Sequence, residues 1–288
     1  MTPLPATSAA RRRKDRFARA LLAAATVLAL IPLALILFYL LKKGIGAISL
    51  HLFTSDPSGR FFGDPGGIRS AILGTLEIVA LATAFALPAG IGVALYLTEY
   101  GNGRKLAGAV RLLIDVMTGV PSIVFGLFVY VTLVLTGVGG GGFAGWKGSV
   151  ALALLMLPIV TRSTEVALAL VPDSLREAGL ALGSPRWRLV LRVVLPTALP
   201  GILTGSLLAL ARAAGETAPL LFTATIVKAT SFDLNGQMNS LPAQIFADVG
   251  QAQDRLVQRA WGAALTLVCL ILVFILLARV VSRRSRLA

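Results

Sequence analysis

Six long apolar runs, separated by polar segments, set the pattern of this chain. They lie at about 20–41, 70–98, 112–136, 148–171, 197–223 and 260–278. A helix needs roughly 20 apolar residues to cross the hydrocarbon core of a bilayer, and each run is close to that length or longer. We therefore predict an all-α polytopic membrane protein with six transmembrane helices.

The first run has the position of a signal peptide but not its other features. It is longer than the apolar region of such a peptide, which has roughly 7–15 residues. Lys42 and Lys43 follow it, where a cleavage site of small residues would otherwise stand. The pattern therefore favours a membrane span.

Composition agrees with this class and excludes several others. The 288 residues are 56% hydrophobic and 14% charged, whereas soluble domains average about 45–50% and about 25%. One cysteine, Cys269, and one histidine, His51, allow no disulfide framework and no metal cluster. The sequence has neither a G-x-x-x-x-G-K-[ST] loop for ATP nor a catalytic set of residues. We therefore expect no cofactor and no enzymatic activity.

Three glycines, Gly137, Gly139 and Gly142, match the spacing G-x-G-x-x-G. A dinucleotide site would need a strand before this loop and a helix after it in a βαβ unit, and the pattern provides neither. We predict a flexible external turn.

The net charge of +14 is explained by topology rather than by nucleic acid, because most basic residues flank apolar runs. They are dense in the N-terminal tail (1–16), after the second run, between the fourth and fifth runs, and at the C-terminus, which contains Arg283, Arg284 and Arg286. The positive-inside rule makes these four segments cytoplasmic, so both termini are expected in the cytoplasm. The tail is predicted to be disordered and attracted to lipid headgroups.

The stretch between the fourth and fifth runs is amphipathic, and we predict a short helix within 173–187. Ser174 is positioned to cap it, with Glu177 three residues later completing a capping box. Gly183, followed by Ser184 and Pro185, ends it. A short helix between spans is suited to contact a soluble partner or the headgroups.

This stretch resembles the cytoplasmic loop of the permease subunits of bacterial ABC importers. That loop reads E-A-A, three residues, G, nine residues, I, one residue, L-P. Here Glu177, Ala178 and Gly179 are followed at the same spacing by the residues Gly183, Val193, Leu195 and Pro196. Gly179 and Val193 depart from the pattern by small changes. The resemblance implies a coupling helix in which Glu177, Ala178, Gly179 and Gly183 meet an ATPase subunit.

Two charged pairs lie inside predicted spans. Arg162 and Glu165 are three residues apart, and Arg212 and Glu216 are four apart, so each pair is expected to share a helix face. An arginine in the membrane costs on the order of 2.5–3.5 kcal/mol unless it is paired or faces water. The pairs either fix helix packing or line an anion pathway, and both roles are compatible. The role of Glu77, in the second span, stays open.

A wider resemblance, from about residue 66 to residue 284, is to the PstA-type branch of these permeases, which serves phosphate import. It is carried by four segments: Pro121–Gly126, Leu157–Glu165, Arg212–Thr223 and Ser240–Phe246. The resemblance implies a MetI-like core at 70–284, preceded at 1–69 by the tail, the first span and an outer loop. It also implies that Arg162, Glu165 and Arg212 match functionally important charges.

The same resemblance implies the partners and the mechanism. The partners are a second, PstC-type permease, two copies of a PstB-type ATPase and an external PstS-type phosphate-binding protein, with membrane lipid around the spans and no nucleic acid. Phosphate would cross the bacterial cytoplasmic membrane by alternating access. The alternatives are a permease for another oxyanion or small nutrient, or a stand-alone secondary transporter, which would need internal repeats or a coupling-ion site.

Overall fold

The computed structural model describes residues 9–60, 63–101 and 103–284. Its helices are α1 (Ala9–Ile45), α2 (Leu50–Thr54), α3 (Arg69–Leu95), α4 (Lys105–Gly119), α5 (Ser122–Val129), α6 (Gly145–Ala169), α7 (Asp173–Ala181), α8 (Arg186–Leu189), α9 (Leu195–Ala214), α10 (Ala218–Thr223), α11 (Leu241–Val249) and α12 (Asp254–Arg284). Turns of π-helix at Tyr96–Tyr100 and Tyr130–Val134 extend α3 and α5, and a third at Val190–Val194 joins α8 to α9.

Within this part of the chain, five helices are long and apolar enough to cross a membrane: α1, α3, α6, the continuous helix Arg186–Ala214, and α12. The pair formed by α4 and α5 passes the same test only together, and there are six spans if this bent pair is counted as one. The predicted fold class is therefore confirmed.

The predicted third span is not straight, because α4 and α5 meet at an angle of 106°. Between them, Val120 is extended, with φ −76° and ψ 130°, and Pro121 follows it. The proline ring disfavours helical geometry in the residue before it, so the helix stops there. The hydropathy of the third run does not reveal this break, because the residues on both sides of it are mostly apolar.

Two other predictions at the ends of elements were wrong. Residues 9–16 of the tail are helical and continue into the first span as α1. The predicted fifth span, about 197–223, ends early, because α9 stops at Ala214 and α10 starts again at Ala218. Residues 1–8 and Arg286 lie outside the described part of the chain.

Helix α6 lies at the centre, between α3 and α9, and glycines allow the close approach. A Cβ at Gly90 of α3 would overlap Val160, and one at Gly205 of α9 would overlap Ser163. Thr161 also donates a hydrogen bond to the Gly90 carbonyl at 3.3 Å. Between helices in lipid, tight van der Waals packing replaces the hydrophobic driving force, and small residues make it possible.

A buried ion pair joins α11 to α12 at the end of the bundle opposite α7. Arg259 of α12 donates to Asp248 of α11 at 2.8 Å, and Gln244 donates to the same carboxylate at 3.0 Å. Arg259 also binds the carbonyl of Pro65 in the loop before α3. The predicted outer loop is therefore attached to α11 and α12.

The glycine loop after α5 encloses an ammonium group rather than standing free as a flexible turn. Lys147 of α6 is fully buried. Its Nζ donates to the carbonyls of Gly140 and Gly142, at 2.7 and 2.9 Å. The loop thus provides the oxygen atoms that a buried cation requires.

We predict that Lys147→Met destabilises the protein, because two loop carbonyls lose their donor. Hydrogen bonds to a charged group contribute about 1.5–3 kcal/mol, so the thermal unfolding midpoint in detergent should fall by several degrees. Lys43→Met, at an exposed lysine, is the control and should leave the midpoint unchanged. Equal midpoints for the two variants would contradict the role of Lys147.

Candidate functional site

Four charged side chains from two helices form one network, which we call the α4–α6 charge network. Helix α4 contributes Arg111 and Asp115, and α6 contributes Arg162 and Glu165. The residues on α4 are four apart and those on α6 three apart, so each pair lies on one face of its helix. The contact between the two faces brings all four together.

The carboxylate of Glu165 bridges the two arginines. Arg162 Nη1 donates to Glu165 Oε2 at 2.6 Å, and Arg111 Nη2 donates to Glu165 Oε1 at 3.2 Å. Arg162 Nη2 also donates to Asp115 Oδ1. Each guanidinium group is therefore held by a carboxylate, and Arg162 is held by two.

The network is electrically neutral as a set, with two guanidinium groups and two carboxylates. Its inner member is Glu165, whose side chain is 9% exposed, while that of Asp115 is 58% exposed. Removal of one partner from a buried pair leaves an uncompensated charge and costs far more than the pair itself contributes. Glu165 is therefore the residue on which the arrangement depends most.

Arg212 and Glu216 interact more weakly than predicted, and they do not share a helix. Helix α9 ends at Ala214, and Glu216 lies in the short break before α10. The Nε of Arg212 is 3.7 Å from Glu216 Oε1, which is too long for a hydrogen bond. With 62% of its side chain exposed, Arg212 projects from the surface of the chain.

The two arginines of the predicted pathway lie at different depths. The contact of Gly205 with Ser163 and that of Gly201 with Ala167 define the antiparallel register of α9 on α6. In this register Arg212 lies beyond the level of Arg162 by about six residues, or roughly 9 Å along the helix axis. The structure does not bring them into one cluster.

The predicted coupling segment forms α7, as expected, but its N-terminus differs. The helix begins at Asp173, its N-cap is Pro172, and no side chain caps it. Ser174 is therefore already inside the helix, and the predicted capping box is wrong. Proline at the preceding position leaves no backbone N–H there and fixes φ at −59°.

The end of α7 is as predicted. Gly183 has φ +75°, a left-handed conformation that favours glycine. Ser184 N donates to the Gly179 carbonyl at 3.2 Å, which closes the last turn. Gly179 also leaves room for Leu189, which packs where a Cβ would stand. Glu177 and Ala178 are both exposed.

The outer surface of α7 carries apolar side chains. None of its residues is buried, and Leu175, Leu180 and Leu182 are exposed, Leu182 to 87%. Trp187, just after it, is also exposed. Exposed apolar residues next to an acidic group are typical of a surface that meets another protein.

Sequence reasoning missed Arg111 and Asp115. Arg111 was assigned to the loop after the second span, and Asp115 lies in an apolar run. The available signal was their spacing of four residues, which places an acid and a base on one helix face. The Oε2 atom of Glu77, in the second span, is buried and has no hydrogen-bond partner within the described residues.

The family model that matches this chain, over residues 86–287, is described as a binding-protein-dependent transport system inner membrane component. A curated relative from Yersinia pestis, the phosphate transport system permease protein PstA, is 43% identical over 96% of this chain and 92% of its own length. A protein of the same name from Pasteurella multocida is 39% identical over 94% of this chain and 95% of its own length.

Solved structures share the fold at low sequence identity. A methionine ABC transporter, MetNI, in an inward-facing conformation matches with a TM-score of 0.58 and 22% identity, covering 75% of this chain and 95% of its own. A bacterial ABC transporter for import of alginate matches with a TM-score of 0.64 and 17% identity, covering 94% and 96%.

We predict that Glu165→Gln destabilises the protein more than Asp115→Asn does. The first change leaves two arginines short of a buried carboxylate, at a cost of about 1–3 kcal/mol. The second removes an exposed partner and should cost less than about 1 kcal/mol. Thermal unfolding of the purified variants in detergent measures both, and equal losses would show that Glu165 is not the central member.

Proposed function

Since this chain belongs to the family of binding-protein-dependent transport system inner membrane components, we propose that it is a permease subunit of an ATP-driven importer of inorganic phosphate. The observation that carries the proposal is the similarity, over more than nine-tenths of the chain, to relatives whose names specify phosphate transport. The arginines of the candidate site support it, because a guanidinium group binds phosphate oxygens through two parallel hydrogen bonds.

The importer contains an ATPase and a binding protein besides this multi-pass subunit of the bacterial inner membrane. In the finer proposal there are two copies of a PstB-type ATPase, a PstC-type second permease and a PstS-type phosphate-binding protein. The ATPase receives α7 through Glu177, Ala178, Gly179 and Gly183. This places α7 and both termini in the cytoplasm, as the basic segments favour.

The pathway lies at the surface of this chain rather than through its core. The side chains of Arg162 and Arg212 are exposed to 32% and 62%, whereas the region between α3, α6 and α9 is filled by apolar side chains. A second permease covering this surface would enclose the arginines and complete the pathway. The acids belong to it because Glu165 holds Arg162 and Glu216 lies beside Arg212.

Two kinds of site follow from the two ion pairs. Among the described residues, Arg212 has only a long contact with Glu216, so its hydrogen-bond donors are available to an anion. Arg162 is engaged by Glu165 and Asp115, so an anion competes with these carboxylates for it and binds more strongly after displacement of one of them. Alternating access would provide that displacement by moving α4 relative to α6, and would release phosphate when the network closes again.

The substrate is tested by uptake into vesicles that contain the reconstituted complex, with ATP inside and loaded binding protein outside. We expect ATP-dependent uptake of labelled phosphate that excess sulfate or molybdate leaves unchanged. An importer of another oxyanion is the alternative, because paired arginines fit any oxyanion. Strong competition by sulfate or molybdate, or no phosphate uptake at all, would favour that alternative.

We predict that Arg212→Gln abolishes phosphate uptake while the complex still assembles. The arginine is exposed, so its loss should change stability by less than about 1 kcal/mol. Glu216→Gln is the matched control, because it removes the same ion pair but keeps the guanidinium group. It should retain uptake with a changed KM. If both variants lose uptake equally, Arg212 serves only its pair with Glu216.

A further inference from the structure

Arg176 of α7 uses every hydrogen-bond donor that it has. A guanidinium group carries five N–H donors in a fixed plane, and five hydrogen bonds leave this one. Two go to Glu99, one to the carboxylate of Asp173, and two to the carbonyls of Leu168 and Val171. A lysine, with three donors on one atom, could not replace it.

These bonds join α7 to the ends of two other helices. Glu99 lies in the π-helical turn that ends α3 and is 5% exposed. Its Oε1 accepts from Arg176 Nε at 3.3 Å and from Nη2 at 3.1 Å. The Leu168 carbonyl, at 2.8 Å from Nη2, belongs to the last turn of α6. A cation at a helix C-terminus is also favoured by the helix dipole.

The same turn at the end of α3 also contacts α8, the helix that follows α7 along the chain. The guanidinium carbon of Arg186, the first residue of α8, lies 5.5 Å from the ring centroid of Tyr100. Glu99 therefore holds the first half of α7, and its neighbour Tyr100 holds the segment that follows it. One turn of α3 binds the coupling segment at both ends.

Polar contacts rather than apolar burial hold α7 in place. Its apolar residues Leu175 and Leu180 are exposed, as is Leu182 just after it, and no residue of α7 is buried. It packs mainly on its neighbours along the chain, α8 and the π-helical turn after it, where Leu189 fills the space beside Gly179. A force on the outer face of α7 therefore reaches α3 through Arg176, whereas it reaches α6 and α8 through the backbone as well.

Helices α3 and α6 carry that force to the candidate site. They pack closely where Thr161 donates to the Gly90 carbonyl. Arg162 lies six residues before Leu168 on α6, which corresponds to about 9 Å along the helix axis. The bonds of Arg176 thus end on the same helix that carries Arg162 and Glu165.

We propose that Arg176 and Glu99 form the mechanical link between the coupling helix and the transport core. Arg176 is a positioning residue that touches neither ATP nor phosphate. When the ATPase displaces α7, the pair makes α3 and the end of α6 move with it. The inference rests on the proposed function, since it assigns a role within an ATP-driven importer.

The experiment measures phosphate uptake per ATP hydrolysed in vesicles that contain the whole complex. Arg176→Gln and Glu99→Gln should keep the ATPase bound and hydrolysing while uptake per ATP falls by about five- to a hundredfold, the usual range of coupling between sites. Arg176→Lys should give an intermediate value. If the ion pair only stabilised the fold, the variants would reduce the amount of complex and leave uptake per ATP at the wild-type value. That result would overturn the proposal.

The matched control breaks a second buried pair of the same type. Asp248→Asn removes the acidic partner of Arg259 at the opposite end of the bundle. It should reduce the yield of complex but leave uptake per ATP unchanged. If it lowers the ratio as much as Glu99→Gln does, the effect is general destabilisation and the link is refuted.

A cross-link supplies a test that does not depend on loss of function. In a Cys269→Ser background, Glu99→Cys and Arg176→Cys together should uncouple the complex, and a short bis-maleimide joining them should restore uptake per ATP. Failure to restore it, although the link has formed, would mean that α3 and α7 must separate, contrary to the proposal.

The two proposals fail in different ways. Absence of phosphate uptake by the wild-type complex would overturn the phosphate assignment alone. The link would then be measured as stimulation of the ATPase by the loaded binding protein, with the same variants and the same cross-link.

Discussion

A guanidinium group inside a membrane protein must be neutralised or hydrated. This requirement shapes how α4 attaches to α6 at the centre of the bundle. The carboxylates that meet Arg162 come from its own helix, at Glu165, and from α4, at Asp115. Arg111 then completes a neutral set. The cost of an unpaired charge in a medium of low dielectric constant exceeds that of any single apolar contact. The position of α4 on α6 therefore follows from charge pairing.

The contacts of α6 with α3 and α9 have a different physical origin. Gly90, Gly201 and Gly205 remove side chains where the helices cross, so the backbones approach closely and dispersion contacts accumulate. Such packing resists small displacements because a close-packed interface has no space into which to deform. The chain thus combines an inner group of helices joined by tight packing with outer elements, α4 and α7, that are attached to it by ion pairs as well.

Local sequence pattern was sufficient for the features that depend on neighbouring residues. Hydropathy predicted the spans, and Gly183 followed by Pro185 predicted the end of α7, because a left-handed glycine and a proline act within one turn. The family expected from the loop around Glu177 and Gly183 is confirmed by the family model. The capping by Ser174 was wrong because Pro172 already starts the helix, and the third span is bent because Val120 precedes a proline.

The interactions that sequence reasoning missed join residues distant along the chain. Asp115 and Arg162 are 47 residues apart, Arg111 and Glu165 are 54 apart, and Glu99 and Arg176 are 77 apart. A pattern read over one or two helical turns contains no information about such pairs. Each of them connects an outer element to α6 or α3, while the tight contacts at Gly90, Gly201 and Gly205 join α6 to α3 and α9. A helix that moves relative to the core is better joined by polar contacts that can exchange partners, as α4 is through the α4–α6 charge network, than by close packing, which cannot. The pair of Glu99 and Arg176 serves the other requirement of transport, because it makes α7 and the end of α3 move together.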